Sequence, residues 1–212
     1  RLGRDQSNYE ILVSRGYLCF LGNILCLDQP LKMFAYKEKF VAILGAGVEG
    51  LSSAKYFKSE GAYVTILDQK PTIELDPEII GQLNSLGVKT NFSPDCLSHL
   101  KPFELIVRTP GIRPDITELQ LAKDSGKIVT SNTKVFFEHC PAKIVGVTGT
   151  KGKGTTSTLI TQILKKAGKR VLLGGNIGTP ALDLLAEVGA NDLVVLELSS
   201  VQLFYLEKSP QV

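Results

Sequence analysis

Two glycine-rich segments constrain the fold of this chain more than any other feature of its sequence. The first follows the apolar run FVAIL (Phe40–Leu44), the second begins within KIVGVTG (residues 143–149), and each precedes an amphipathic helical pattern. A buried strand, a glycine turn and a helix in this order are typical of βαβ units in a parallel sheet. The sequence therefore predicts an α/β fold.

The same alternation continues along the chain. Pro141 ends the first unit, so we predict one domain at residues 33–141 and the start of a second at residues 142–212. Because the second domain shows only three strands, which is part of a doubly wound sheet, we expect the chain to be truncated. Helices are predicted at residues 51–59, 77–86, 117–125, 132–139, 156–167 and 201–206, and further strands at residues 62–68, 103–107, 127–130, 170–173 and 192–197.

Residues 1–32 are predicted to be a leader outside the folded domains. The one methionine, Met33, stands shortly before the first clear strand pattern and resembles a start residue. The apolar run at residues 17–27 is about half as long as a membrane-spanning helix. Basic residues precede this run, as in a signal peptide, but no small-residue cleavage site follows it. We therefore expect a cytoplasmic protein without a membrane segment.

Charge and cysteine content exclude several classes of protein. The chain has 24 basic and 21 acidic residues, a net charge of +3, and no basic stripe, so no nucleic-acid partner is expected. Its four cysteines form no Cys-x-x-Cys pair, and only two histidines accompany them. We therefore expect free thiols in a reducing compartment rather than a zinc site or a disulfide framework.

The first glycine segment, GAGVEG at residues 45–50, has the spacing of a dinucleotide-binding loop. Gly45 allows the tight turn, Gly47 lets a diphosphate approach the backbone, and Gly50 lets the helix pack against the strand. The helix N-terminus then offers free N–H groups to phosphate oxygens. Asp68 ends the next strand and is placed to accept hydrogen bonds from a ribose or a base. The spacing predicts a Rossmann-like domain for a diphosphate-bearing ligand, and a tight turn without a ligand is the alternative.

The second glycine segment is interpreted as a phosphate-binding loop for ATP. Lys153 would neutralise the β- and γ-phosphates, and the hydroxyl of Thr155 or Thr156 would reach Mg²⁺. The spacing departs from the common P-loop, because Gly154 follows the lysine where a hydroxyl residue is usual. A surface lysine loop is the alternative. The predicted ATP-binding residues are Gly149, Thr150, Lys151, Gly152, Lys153, Gly154, Thr155 and Thr156.

Glu197 ends the apolar strand of LVVLEL and is a predicted metal ligand. A carboxylate at the end of a buried strand beside a P-loop commonly holds Mg²⁺ in ATP-using enzymes. We therefore predict Lys153 and Glu197 as catalytic residues. The alternative is a solvent-facing glutamate followed by Ser199 as a helix N-cap. The glycine-rich turn at residues 174–180 predicts by itself only a loop.

Five strings together resemble the Mur ligase superfamily, in particular its D-glutamate-adding branch. They are GAGVEG, TPGI (residues 109–112), GTKGKGTT, GNIGTPAL (residues 175–182) and ELSSVQL. The resemblance runs from about Met33 to the end of the chain. It implies a UDP-substrate-binding domain followed by the first part of a central ATPase domain.

The resemblance also implies a reaction and a set of site residues. ATP and Mg²⁺ would serve to phosphorylate the carboxylate of UDP-N-acetylmuramoyl-L-alanine, and D-glutamate would then displace phosphate to form an amide in peptidoglycan precursor synthesis. A monomer is expected. Thr155 and Glu197 would hold the metal. The residues that would contact the UDP substrate are Gly45, Gly47, Val48, Glu49, Gly50, Asp68, Gln69, Lys70, Thr109, Pro110, Gly111, Asn176 and Ser199.

The departures from the family pattern leave alternatives open. The chain lacks the family's carbamylated lysine, its substrate-contacting histidine and its D-glutamate-binding domain, so we do not expect a complete catalyst. A folylpolyglutamate synthase, which often has the glycine found at position 154, or another Mur ligase is the nearest alternative. An NAD-binding oxidoreductase would explain the first loop but not the second. A noncatalytic UDP-sugar-binding module is the third possibility.

Overall fold

The computed structural model describes residues 18–19, 36–204 and 206, with only the backbone described for Leu18, Cys19 and Phe204. The rest of the predicted leader lies outside the described part, as do Met33 and residues 34–35, 205 and 207–212. In chain order the elements are β1 (Leu18–Cys19), β2 (Phe40–Leu44), α1 (Val48–Ser59), β3 (Tyr63–Asp68), α2 (Pro77–Ser85), β4 (Lys89–Phe92), β5 (Leu105–Arg108), α3 (Thr117–Asp124), β6 (Ile128–Ser131), α4 (Asn132–His139), β7 (Lys143–Val147), α5 (Lys153–Lys166), β8 (Val171–Gly175), β9 (Leu193–Glu197) and α6 (Ser200–Phe204).

The first sheet is parallel and has the strand order β4-β3-β2-β5-β6. Its two central strands β2 and β5 are almost wholly buried, as their apolar runs require. The strand order reverses between β2 and β5, and open parallel sheets bind ligands in the crevice at such a point. The loops after β2 and β5, which begin at Gly45 and Thr109, therefore meet at this crevice.

The second sheet is also parallel and has the order β1-β7-β9-β8. Helix α5 connects β7 to β8 over the strand β9 between them. The 3-10 helix Ala181–Ala186 lies in the connection from β8 to β9. The backbone of Leu18 and Cys19 pairs with Val145 and Gly146 of β7. Both sheets agree with the predicted α/β class, while the domain limits drawn from the sequence stay a prediction.

One continuous apolar cluster joins the two sheets. It includes Phe57 of α1 and Phe136 of α4, and it reaches Ile144 and Leu196 of the second sheet. The 3-10 helix Ala181–Ala186 contributes three buried side chains to the same cluster and packs against α1 and α4. Burial of apolar surface on both sides holds the two units against each other.

Two helix starts and two strands differ most from the expectations drawn from the sequence. Helices α1 and α5 each begin three residues earlier than predicted, directly at their glycine loops. The strand predicted at residues 103–107 runs over Leu105–Arg108. Strand β4 was not predicted at all. Within the part of the chain that the structure describes, no helix has the length and apolar character needed to cross a bilayer.

Candidate functional site: two phosphate-binding loops

The loop after β2 owes its shape to two glycines. Gly45 has φ 103°, and its N–H donates to the carbonyl of Leu67 at 2.8 Å. A Cβ added at Gly50 would lie 1.9 Å from the carbonyl oxygen of Gly45, so no side chain fits there. Gly47 is the N-cap of α1, makes no side-chain cap, and has no atom within 4 Å of where its Cβ would be. The first N–H groups of α1 therefore face an open space, which suits a phosphate.

Asp68, at the end of β3, supports this loop through its carboxylate. Oδ2 accepts a hydrogen bond from the N–H of Ala46 at 2.8 Å, and Oδ1 accepts one from the N–H of Lys70 at 2.9 Å. Gln69 and Lys70 are exposed beside it. The predicted neighbours are thus together, but the carboxylate of Asp68 also serves the loop backbone, a role that the sequence analysis did not include.

Thr109 closes the crevice from the side of β5. Its side chain is buried, and its hydroxyl donates to the carbonyl of Leu44 at 2.8 Å. A Cβ at Gly45 would lie 2.5 Å from this hydroxyl oxygen, so Thr109 leaves room only for glycine at position 45. Pro110 is half-buried and Gly111 exposed. The structure therefore places Thr109 under the loop, with the exposed part of TPGI beyond it.

Glu49 lies in the first turn of α1 and is half-buried. The side-chain amide of Asn132, at the start of α4, donates to its Oε2. Burial, the largest cause, and the negative charge of Asp183 together raise the pKa of the Glu49 carboxyl to about 7, against the opposing effect of the Asn132 hydrogen bond. The sequence analysis missed Asn132 and Asp183, since neither lies in a recognisable motif.

Asp183 belongs to the 3-10 helix Ala181–Ala186 and links the two units. The hydroxyl of Ser52 on α1, which is only 1% exposed, donates to its Oδ1 at 2.7 Å. The two residues are 131 positions apart, so no local pattern in the sequence signals the contact. The helix that carries the first loop is therefore tied to the segment that follows the GNIGTP turn of the second unit.

The second loop joins β7 to α5 and turns at two glycines. Gly149 has φ 151°, and Gly152, the N-cap of α5, has φ 77° and gives no side-chain cap. The ammonium of Lys153 donates to the carbonyl of Gly149 at 2.8 Å, so the lysine folds back over the loop. Lys151, Thr155 and Thr156 are exposed. The uncapped start of the 14-residue helix α5 is thus a second place suited to phosphate.

Glu197 lies at the end of β9, beside the first turn of α5. Its side chain is 6% exposed, so the solvent-facing alternative is wrong. The N–H of Asn176 donates to the carbonyl of Glu197 at 2.9 Å, and the Asn176 side-chain amide lies 3.4 Å from Oε1. A Cβ at Gly154 would lie 3.4 Å from Oε2. The structure therefore brings Glu197, Asn176 and Gly154 together.

Ser199 and Gln202 bond reciprocally at the start of α6. The N–H and hydroxyl of Ser199 both donate to Oε1 of Gln202, at 2.8 and 3.0 Å, and the N–H of Gln202 lies 3.2 Å from the Ser199 hydroxyl. This arrangement is a helix cap, as one alternative predicted. Gln202 is 4% exposed and was not predicted.

Among the residues the structure describes, no three His, Cys, Asp or Glu side chains form a metal-binding group.

Two parallel sheets, each with a glycine loop and an uncapped helix at the carboxyl end of a strand, form an arrangement typical of nucleotide-binding α/β proteins. The family model of the Mur ligase MurD-like N-terminal domain matches residues 39–131, and that of the Mur ligase middle domain matches residues 147–208. The chain belongs to the Mur ligase family.

Individual relatives agree with this assignment. The chain is 45% identical over 176 residues to UDP-N-acetylmuramoylalanine–D-glutamate ligase of Ruminiclostridium cellulolyticum and 42% identical to that of Clostridium acetobutylicum. Each alignment covers 83% of this chain and 38% of the relative, so the chain spans well under half the length of these relatives. The solved structure of UDP-N-acetylmuramate-alanine ligase from Thermotoga maritima is similar at 25% identity and a TM-score of 0.50, over 82% of this chain and 40% of that one.

Proposed function

We propose that this chain binds UDP-N-acetylmuramoyl-L-alanine at its first loop and ATP at its second, as part of a ligase that adds D-glutamate through an acyl phosphate. The observation that carries the proposal is the pair of uncapped helix starts, α1 and α5, on two units joined by one apolar core. A protein that binds one dinucleotide needs only the first of them. The names of the relatives supply the chemistry of the two substrates.

The UDP diphosphate would lie over Gly47, where the backbone is open, and would accept hydrogen bonds from the first N–H groups of α1. Val48 is exposed at the same helix start. Asp68 would act in two ways, because its carboxylate holds the loop and still has lone pairs for the uracil side. Gln69, Lys70 and the residues Thr109 to Gly111 would border the same crevice.

The phosphates of ATP would replace the Gly149 carbonyl as the hydrogen-bond acceptor of the Lys153 ammonium. The ammonium now bonds to the Gly149 carbonyl, and phosphate oxygens are stronger acceptors because they are charged. Lys153 would then neutralise the β- and γ-phosphates. The N–H groups of the loop from Gly149 to Gly154 would hold the remaining oxygens.

The residues near Glu197 fit a magnesium ion. Mg²⁺ prefers oxygen ligands and is usually held by one or two carboxylates together with phosphates. Glu197 has a buried carboxylate for this role, and Thr155, in the first turn of α5, would supply a hydroxyl. When bound, Mg²⁺ would neutralise negative charge on the phosphates.

Two bonds would form in sequence during the reaction. A carboxylate oxygen of the UDP substrate would attack the γ-phosphorus of ATP, and ADP would leave. The amine of D-glutamate would then attack the acyl carbon, and phosphate would leave. Asn176 and Ser199 would orient the muramoyl part, with Gln202 holding the Ser199 hydroxyl. Such positioning converts a reaction of separate molecules into one within a complex.

The whole reaction is a property proposed for a longer protein, since this chain spans 38% of its relatives. We expect the 212-residue chain to bind both nucleotides without completing the amide bond. A monomeric state and a cytoplasmic location are part of the same proposal.

Calorimetric titration of the chain with UDP-N-acetylmuramoyl-L-alanine, with MgATP and with NADH tests the proposal. Lys153→Ala should weaken MgATP binding at least about tenfold, because a charge-assisted contact to phosphate is lost. Binding of the UDP substrate should be unaffected. Lys143→Ala is the matched control, because Lys143 is exposed at the opposite end of β7. Unchanged MgATP binding by Lys153→Ala would contradict the loop assignment. If NADH binds more tightly than the UDP substrate does, the result would favour the alternative of an NAD-binding oxidoreductase.

A further inference from the structure

Glu49 is an acidic side chain within the loop that the proposed function assigns to a diphosphate. It stands in the first turn of α1, where its negative charge would lie close to an incoming phosphate at the same positive helix end. The amide of Asn132 holds one of its oxygens. Asn132 is 1% exposed, and its own Oδ1 accepts from the N–H of Thr133 at 2.9 Å. The orientation of Asn132 is therefore set, and it holds the Glu49 carboxyl near the loop.

A second carboxylate faces Glu49 from the other unit. Asp183 is held by the Ser52 hydroxyl at 2.7 Å, one turn along α1 from Glu49. The groove that Ser52 and Asp183 line has a volume of about 260 Å³. Its other charged groups are Lys55 on α1 and Asp76 and Glu78 near the start of α2. Arg108, at the end of β5, shares a small pocket with Asn132. Acidic groups thus outnumber the one cation of the groove, and among them Asp183 acts on Glu49, where its negative charge disfavours ionisation.

We propose, on the basis of the function above, that the Gly45–Gly50 loop takes up its diphosphate together with one proton, which is held on Glu49, and that Asp183 enforces this coupling. The proton comes from solvent and converts the Glu49 carboxylate to the neutral acid. Asn132 can still donate to the carbonyl oxygen of that acid. The burial-raised pKa of about 7 places this exchange near neutral pH. By linkage, a bound diphosphate raises that pKa further.

The role of Asp183 yields an unusual expectation. Simple charge repulsion predicts that removal of an acidic residue strengthens the binding of an anion. In the proposed coupling, Asp183 keeps the proton on Glu49, so Asp183→Asn lets Glu49 ionise at lower pH. The variant should therefore bind the diphosphate more weakly at neutral pH than the native chain does. Asparagine keeps an acceptor for the Ser52 hydroxyl, so the contact between the units is retained.

Calorimetric titration of the 212-residue chain with UDP-N-acetylmuramoyl-L-alanine from about pH 5.5 to about pH 8.5 is the test. The diphosphate of this probe is esterified at both ends and keeps a constant charge over that range. We expect the Kd of the native chain to rise about tenfold per pH unit above the transition, with uptake of about one proton in buffers of different ionisation enthalpy. Glu49→Gln should bind with a Kd that does not change with pH. Asp183→Asn should shift the transition to lower pH, and Glu187→Gln, an exposed acidic control beside the same 3-10 helix, should not.

Each outcome decides one point. Binding of the native chain with a flat pH profile overturns the coupling and leaves the proposed function standing. A pH transition that persists in Glu49→Gln, confirmed as folded by circular dichroism, overturns the role of Glu49. Stronger binding by Asp183→Asn at neutral pH overturns the role of Asp183. Absence of binding by native and variant chains at every pH overturns both the coupling and the UDP site.

Discussion

The carbonyl oxygen of Gly45 occupies the place where a side chain on Gly50 would begin, 1.9 Å from an ideal Cβ. Helix α1 and the loop before it can approach this closely only because position 50 has no side chain. In the same loop, a Cβ at Gly47 would meet no atom within 4 Å. Gly50 is thus needed for close packing of the helix against the loop, whereas Gly47 leaves the backbone open to a ligand.

Gly50→Ala should therefore destabilise the chain, because backbone must move to admit the methyl group. We expect the free energy of unfolding to fall by at least about 2 kcal/mol in urea denaturation. Gly47→Ala is the matched control and should cost less than about 1 kcal/mol. Gly47→Ala should nevertheless weaken binding of the UDP substrate, because the added methyl group crowds the diphosphate. Equal stability losses for the two variants would contradict this division of roles.

Asp68→Ala should weaken binding of the UDP substrate several-fold. The substitution removes the acceptor for the Ala46 N–H, so the loop loses its anchor to β3. The lost hydrogen bonds to a charged group should also lower the free energy of unfolding by about 1.5–3 kcal/mol. Asp124→Ala, an exposed residue at the end of α3, removes the same charge and should change neither quantity. Calorimetry and urea denaturation measure both effects, and an unchanged Kd for Asp68→Ala would contradict the first.

The stability of the chain should depend on pH through Glu49. Its pKa rises from 4.5 to about 7 on folding, so between these values the folded chain holds a proton that the unfolded chain has lost. The free energy of unfolding should therefore decrease as the pH rises through this window, by up to about 3 kcal/mol. Glu49→Gln lacks this term and should gain stability relative to the native chain between about pH 5 and about pH 8. Parallel pH profiles in urea denaturation would show that Glu49 titrates normally.

Gly154→Ser should strengthen the binding of MgATP about three- to tenfold. The added Cβ would lie 3.4 Å from Oε2 of Glu197, so the new hydroxyl stands where a metal ligand is useful. The nearest obstacle is Cδ1 of Ile177 at 3.1 Å, the end of a flexible side chain. Gly154→Ala introduces the same Cβ without the hydroxyl and should give no gain. A gain of equal size in both variants would point to helix stabilisation instead of a metal contact.

The elements that follow from local pattern were predicted well. Strand β2 and helix α4 have the predicted bounds, because a continuous apolar run and a clear helical period mark them. Strand β4 was missed because KTNF is polar and half exposed, and it becomes a strand only by pairing with β3 at the sheet edge. Helices α1 and α5 begin earlier than predicted because their first turns face open space and carry no apolar period.

The residues of the candidate site also fall into those that local sequence indicates and those that only long-range contacts bring together. Glycine spacing, a lysine and a strand-end carboxylate are local features, so the sequence was enough to propose Gly45, Lys153 and Glu197 as site residues. The amide of Asn132 on Glu49 and the hydroxyl of Ser52 on Asp183 join residues 83 and 131 positions apart. Neither contact can be predicted from the sequence around either residue.

The sequence by itself determined the α/β class, the two loops and the family, because these depend on short-range periodicity and on backbone freedom at single glycines. Only the tertiary structure decided which polar groups meet around the first loop, and hence that the Glu49 carboxyl has a raised pKa. The reason is physical. Burial and charge at a point depend on every element packed around it, whereas a sequence pattern reports only on neighbours along the chain.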